Sequence, residues 1–132
     1  MSDTYISAEL RRFVVSRAQR RCEYCLVFED DTYVGFQIDH IISEKHEGPT
    51  EADNLALACL FCNLNKGSDI GSFDDAGAFT RLFHPRRDRW DEHFRFNGPR
   101  IEGITKVGTV TTKLLRFNDA HRLDERRATM SL

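Results

Sequence analysis

The chain has little that would send it to a membrane or out of the cell. Among its 132 residues no apolar run approaches the ~20 needed to span a bilayer, and the stretch MSDTYISAELRR has no apolar centre resembling a secretory signal. A cytoplasmic protein without a membrane partner is therefore expected. In that compartment cysteines serve as thiolate ligands more often than as disulfides. No internal repeat and no low-complexity linker divides the chain, so residues 1–132 are expected to form one domain. Net charge is also scarce, at −2, and by itself does not advertise a nucleic-acid binder. Its distribution says more. Residues 26–58 carry eight acids against the single base Lys45, whereas Arg81 to Arg100 holds six arginines against Asp88, Asp91 and Glu92. A slightly acidic chain can in this way keep a basic face.

What is present is an ordinary foldable composition, 40% hydrophobic and 11% aromatic, which excludes general disorder. Ser7 followed by AELRRFVVSRAQRR reads as a helix over 7–20, with Leu10, Phe13, Val14 and Ala18 on one face. TYVGFQID reads as strand, turn, strand, and SEKHEGPTEAD as loop. NLALACLFCNLNKG is apolar and short, and reads as a helical turn, a cysteine knuckle and the start of another helix. Beyond Gly67, FDDAGAFTRLFHP predicts a turn and a strand, RWDEHFRF a strand, and RIEGITK another strand after the NGPR turn. Thr109 to Phe117 and Arg122 to Ala128 predict two helices, the second capped by Asn118 or Asp119.

The four cysteines form two knuckles, Cys22-x-x-Cys25 and Cys59-x-x-Cys62, separated by 33 residues. Two such pairs complete a tetrahedral four-thiolate zinc site, which is closed and therefore structural rather than catalytic. A lone C-x-x-C suits a thiol redox protein as well, but two pairs with no cysteine left over favour zinc. Between and beside the knuckles stand Asp39, His40, Asn54 and Asn63. Asp39 and His40 sit within the apolar stretch FQIDHII, where a charge needs a partner. A neutral imidazole can accept a proton near neutral pH, and a carboxylate with an amide oxygen suits Mg²⁺ or Mn²⁺. Adjacent strand residues point to opposite faces, so the Asp-His pair can serve one site only where the strand ends or bends.

IDHII, GPTEADNLALAC and CLFCNLNKG, over roughly residues 20–67, resemble the HNH nucleases in the branch whose ββα-metal (His-Me finger) core is braced by a four-cysteine zinc. RLFHPRRDRWDEHF and RIEGITK are similar to the tail of small stand-alone bacterial members. The resemblance implies an α+β fold: a zinc-braced core, an N-terminal helix at 7–20, and a strand and helix extension over 68–132. It implies a metal-dependent endonuclease that hydrolyses phosphodiester bonds in DNA, with RNA the second candidate. His40 resembles the general base, Asp39 and Asn63 the ligands of one catalytic divalent ion, and Asn54 the residue that braces the loop and helps orient the histidine. Asn63 stands where many members have His. Lys66, Arg86, Arg87 and Arg89 are candidate phosphate contacts, with Trp90 available either for stacking or for the core. The reading from a different class is a non-catalytic zinc module that binds nucleic acid or a protein on the same scaffold.

Overall fold

The computed structural model describes residues 5–130, so both ends of the expected 1–132 domain lie outside the described residues. The first helix, α1 (Ala8–Arg17), starts where Ser7 Oγ accepts the Leu10 N–H at 3.1 Å. It buries Val14 against Leu55 and Leu57, with Leu10, Ala18 and Ile38 around them. Its last turn is tied down by Arg17, which donates to the carbonyls of Ala52 (3.0 Å) and Leu55 (2.8 Å).

Strands β1 (Gln37–His40) and β2 (Leu55–Ala58) pair antiparallel, Gln37 opposite Ala58 and His40 opposite Leu55. Alternation along the strands sorts their side chains. Ile38 and Leu57 pack toward α1, while Asp39, Ala56 and Ala58 face the cysteines and α2 (Leu60–Lys66). Two local expectations fail here. LALA is strand β2, which the reading of NLALACLFCNLNKG as turn, knuckle and helix left out, because all four of its residues are buried and a strand buried on both faces shows no alternation to read. In TYVGFQID only Gln37 onward is strand. Residues 32–36 are irregular, and the Phe36 N–H is satisfied by the Glu29 carboxylate at 2.9 Å instead of by a ladder.

The chain then forms two further antiparallel hairpins, β3 (Gly71–Phe73) with β4 (Phe79–Arg81), and β5 (Phe94–Asn97) with β6 (Arg100–Gly103). The first of the two turns on Asp74, whose Oδ1 accepts the N–H groups of Ala76 and Ala78, both at 2.9 Å. RWDEHFRF is not all strand: Trp90–His93 make a helical turn, α3, before β5 begins. Helix α4 (Lys106–Leu114) starts earlier than expected, because Thr105 Oγ1 accepts the Gly108 N–H at 3.0 Å. A Cβ at Gly108 would lie 2.0 Å from the His93 carbonyl oxygen, so that crossing requires glycine. Asn118 does not cap α5 (Ala120–Met130): its amide brackets the Ile101 N–H (2.9 Å) and C=O (2.8 Å) and so holds β6.

The architecture is α+β, as expected. One cluster joins the cysteines and Tyr24 to Phe83, Phe94, Ile101, Leu115 and Phe117, so the segment after Gly67 packs directly on the knuckles. Trp90 belongs to that packing. Its ring lies 5.0 Å from Phe94, and its indole N–H donates to the Tyr24 carbonyl at 2.8 Å.

Candidate metal centre and active site

The four cysteines are buried and free of disulfides, and their sulfurs all lie within 4.8 Å of one another. Cys25 Sγ and Cys59 Sγ are 3.7 Å apart. That is the edge of a tetrahedron with a metal–sulfur distance of ~2.3 Å, roughly 3.8 Å, and is far beyond a disulfide bond. The donor set fits zinc. Each knuckle turns its own backbone toward sulfur, Cys25 N–H to Cys22 Sγ and Cys62 N–H to Cys59 Sγ, both at 3.5 Å. Arg122, on α5 and 3% exposed, adds a guanidinium N–H to Cys62 Sγ at 3.1 Å while bonding the Leu115 carbonyl at 2.7 Å. Burial alone would lower the Arg122 pKa, but the thiolates of Cys62, Cys25 and Cys59 outweigh it and the net shift is upward. Sequence reasoning missed this residue. No signal in the sequence marks it: α5 is polar and rich in arginine, and this one looks like a solvated charge until the helix is packed.

Around the end of β1 lies an open groove of about 590 Å³, lined by Asp39, His40, Glu44, Lys45, Asn63 and the turn after α2. Asp39, His40 and Asn63 therefore meet at one place. Asn63 follows Cys62 directly on α2, and its side chain has no hydrogen-bond partner among the described residues. His40 Nε2 shares a hydrogen bond of 2.8 Å with Thr50 Oγ1, and Glu44 Oε1 lies 3.7 Å from the same nitrogen.

Asn54 stands away from the groove lining and is 6% exposed. Its amide oxygen accepts the Ile42 N–H at 2.9 Å, and its amide nitrogen donates to the carbonyls of Ile42 (2.9 Å) and Pro49 (2.8 Å). Placed among the catalytic residues by resemblance, it is here a clamp on the loop that follows His40. Gly48 lets that loop close, since a Cβ there would sit 1.8 Å from the Ile42 carbonyl oxygen. Asn54→Ala would strand three backbone groups, at about 1–3 kcal/mol for each one left buried and unpaired. We expect the melting temperature to fall by roughly 10 °C, with part of the loss recovered in Asn54→Asp, which keeps the acceptor for Ile42. An unchanged melting temperature would remove the clamp from the account.

Asp39 is 5% exposed and already engaged. The Tyr24 hydroxyl donates to Oδ2 at 2.6 Å, and Lys66 Nζ lies 3.3 Å from Oδ1 and 3.2 Å from Oδ2. Burial pushes the Asp39 carboxyl up from the ordinary carboxylate range, opposed by Lys66, Tyr24 and His40. The same burial, with the Asp39 charge, raises the Tyr24 phenol well above its usual value.

The basic candidates divide. Lys66 is 2% exposed and is paired inside the protein, with a further bond of 3.2 Å to the His40 carbonyl, so its reading as a surface phosphate contact is corrected. Arg86 is likewise withdrawn from the surface. It pairs with Glu23, whose other oxygen accepts the Leu57 N–H at 2.8 Å, and so ties the C-terminal segment to β2. Arg87 and Arg89 are exposed but do not line the groove, and Arg89 faces Asp91 at 3.7 Å.

The site is thus a two-stranded antiparallel pair followed by a short helix, a ββα module fastened by a four-cysteine cluster, with an acid, an imidazole and an amide at one groove. Residues 22–69 match the family model described as HNH endonuclease, over nearly the interval that the motifs marked. The match is confined to this segment, and the clustered cysteines are consistent with the zinc-binding branch of that family. No curated protein and no solved structure matched the chain. Among the described residues no helix is long and apolar enough to cross a membrane.

Proposed function

We propose that the chain is a metal-dependent endonuclease hydrolysing phosphodiester bonds in DNA, with the core over 22–69 and the segment after it working as one unit. The observation that carries this reading is the convergence of Asp39, His40 and Asn63 on one groove beside the cysteine cluster. With the proton on Nε2 and directed at Thr50, the neutral His40 ring keeps a basic lone pair on Nδ1 for a water molecule. Asp39 and Asn63 offer hard oxygen donors, the set that suits Mg²⁺ or Mn²⁺. Such an ion, when bound, would supply positive charge against the phosphate and its departing 3′-oxygen. Asn54 holds the loop behind His40, and the zinc knuckle fixes the helix that carries Asn63.

A second reading is favoured by one observation: the Asp39 carboxylate is occupied by Lys66 and Tyr24, as in a purely structural buried pair. In that case the chain is a zinc module that binds nucleic acid or a protein without cutting. Incubating a supercoiled plasmid with purified protein, first chelated and then with Mg²⁺ or Mn²⁺ restored, separates the two. Nicking or linearisation that returns with the ion supports the nuclease. Retarded but intact plasmid from zinc-loaded protein would move the reading to the binding module.

A further inference from the structure

Resting on the nuclease reading, we propose that Lys66, standing against both oxygens of Asp39, restricts that carboxylate to binding an ion through Oδ1 alone, and so sets which divalent ion the site accepts. A carboxylate has about four lone-pair positions, two on each oxygen. Lys66 Nζ donates to Oδ1 at 3.3 Å and lies 3.2 Å from Oδ2, so the ammonium stands against both oxygens of the group. An ion bound by both oxygens would have to stand beside that ammonium, like charge against like, in a buried place where the repulsion is weakly screened. Tyr24 takes a further position on Oδ2 at 2.6 Å. Oδ1, the oxygen that Tyr24 does not touch, is then the one left for an ion.

The constraint is built into the scaffold. Tyr24 lies inside the first knuckle, between Cys22 and Cys25, and Lys66 ends the helix that the second knuckle begins. Each arm of the cysteine cluster delivers one donor to the same carboxylate. Lys66 cannot swing away cheaply, because it is 2% exposed and also held by the His40 carbonyl at 3.2 Å. Removing it from Asp39 would leave two buried charges unpaired.

A carboxylate confined to one oxygen suits a small octahedral ion that keeps most of its waters, as Mg²⁺ and Mn²⁺ do. It suits Ca²⁺ less, since that ion takes more oxygens and uses carboxylates in bidentate fashion. Lys66 and Tyr24 are in this account positioning residues, acting on the ion through Asp39.

The test is a calorimetric titration of the zinc-loaded protein with Mn²⁺ and with Ca²⁺, which reads affinity without any cleavage. The native protein should prefer Mn²⁺. In Lys66→Met the ammonium is gone, and the preference should shrink by about tenfold through tighter Ca²⁺ binding, in line with the 10–100-fold effects of partners that hold metal ligands. Tyr24→Phe should leave the ratio nearly unchanged, because Lys66 still stands against both oxygens. Lys66→Gln serves if the methionine variant does not fold, and should shift the ratio in the same direction. A native protein that binds both ions equally, or a folded Lys66 variant with the native ratio, overturns the proposal. A native protein that binds no divalent ion beyond zinc would instead sink the nuclease reading on which it rests.

Discussion

Stripping the metal from the cysteine cluster is expected to unfold this protein rather than merely slow it. The four thiolates converge from residues 22–25 and 59–62, and the cluster of which they are part includes Tyr24, Phe94, Ile101 and Phe117. Structural zinc in small domains contributes about 10–16 kcal/mol at neutral pH, which matches or exceeds the ~5–15 kcal/mol by which a whole domain is usually stable. Without an ion, burial pushes the Cys22 and Cys62 thiols up, while Cys25 and Cys59 are held below the usual thiol value by hydrogen bonds from their neighbours. Four sulfurs within 4.8 Å cannot all ionise without a cation among them. Arg122 supplies one positive charge from outside, which is enough to assist the ion but not to replace it. The measurement is far-ultraviolet circular dichroism during titration with a strong chelator, alongside elemental analysis for one zinc per chain. Cys62→Ser should fail to retain zinc and melt far below the native protein. A folded, metal-free protein with an unchanged melting temperature would remove zinc from the stability account.

The second large effect is expected from His40→Ala, a loss of cleavage of roughly 10²–10⁴-fold, the usual contribution of a placed general base. The variant should keep its zinc and its fold. His40 bonds Thr50 through its ring, whereas the loop behind it is closed by Asn54 and by the Ile41 N–H to the Asn54 carbonyl at 2.8 Å. Stability and activity should therefore part company, unlike in Asn54→Ala, where they should fall together. The comparison needs only a plasmid-cleavage time course and a thermal melt on both variants. His40→Ala cutting at the native rate would end the proton-transfer role, whatever the metal dependence showed.

The sequence by itself determined the chemistry that is spelled in neighbouring letters. The two C-x-x-C spacings dictated a shared thiolate cluster, because a knuckle is local and two of them satisfy one tetrahedral ion. The run IDHII, with Asn54 and Asn63 at the right intervals, marked a segment that the family match covers almost residue for residue. Helix α1 was legible through its Ser7 cap and through Leu10, Val14 and Ala18, although Phe13, expected on the same face, is exposed and the helix ends at Arg17, short of residue 20.

Only the tertiary structure decided what the buried charges do. LALA was not legible as a strand until β1 arrived to pair with it, since a strand buried on both faces has no period of its own. Lys66 and Arg86 looked like surface cations available to phosphate. Their partners, Asp39 and Glu23, lie 27 and 63 residues away, and no local pattern encodes an ion pair over such a distance. Arg122 is the extreme case, a charge near the end of the chain that meets the sulfur of Cys62 from 60 residues away. A charged side chain declares itself solvated in sequence because burying it alone is prohibitive, and only the folded chain brings the opposite charge that makes the burial possible.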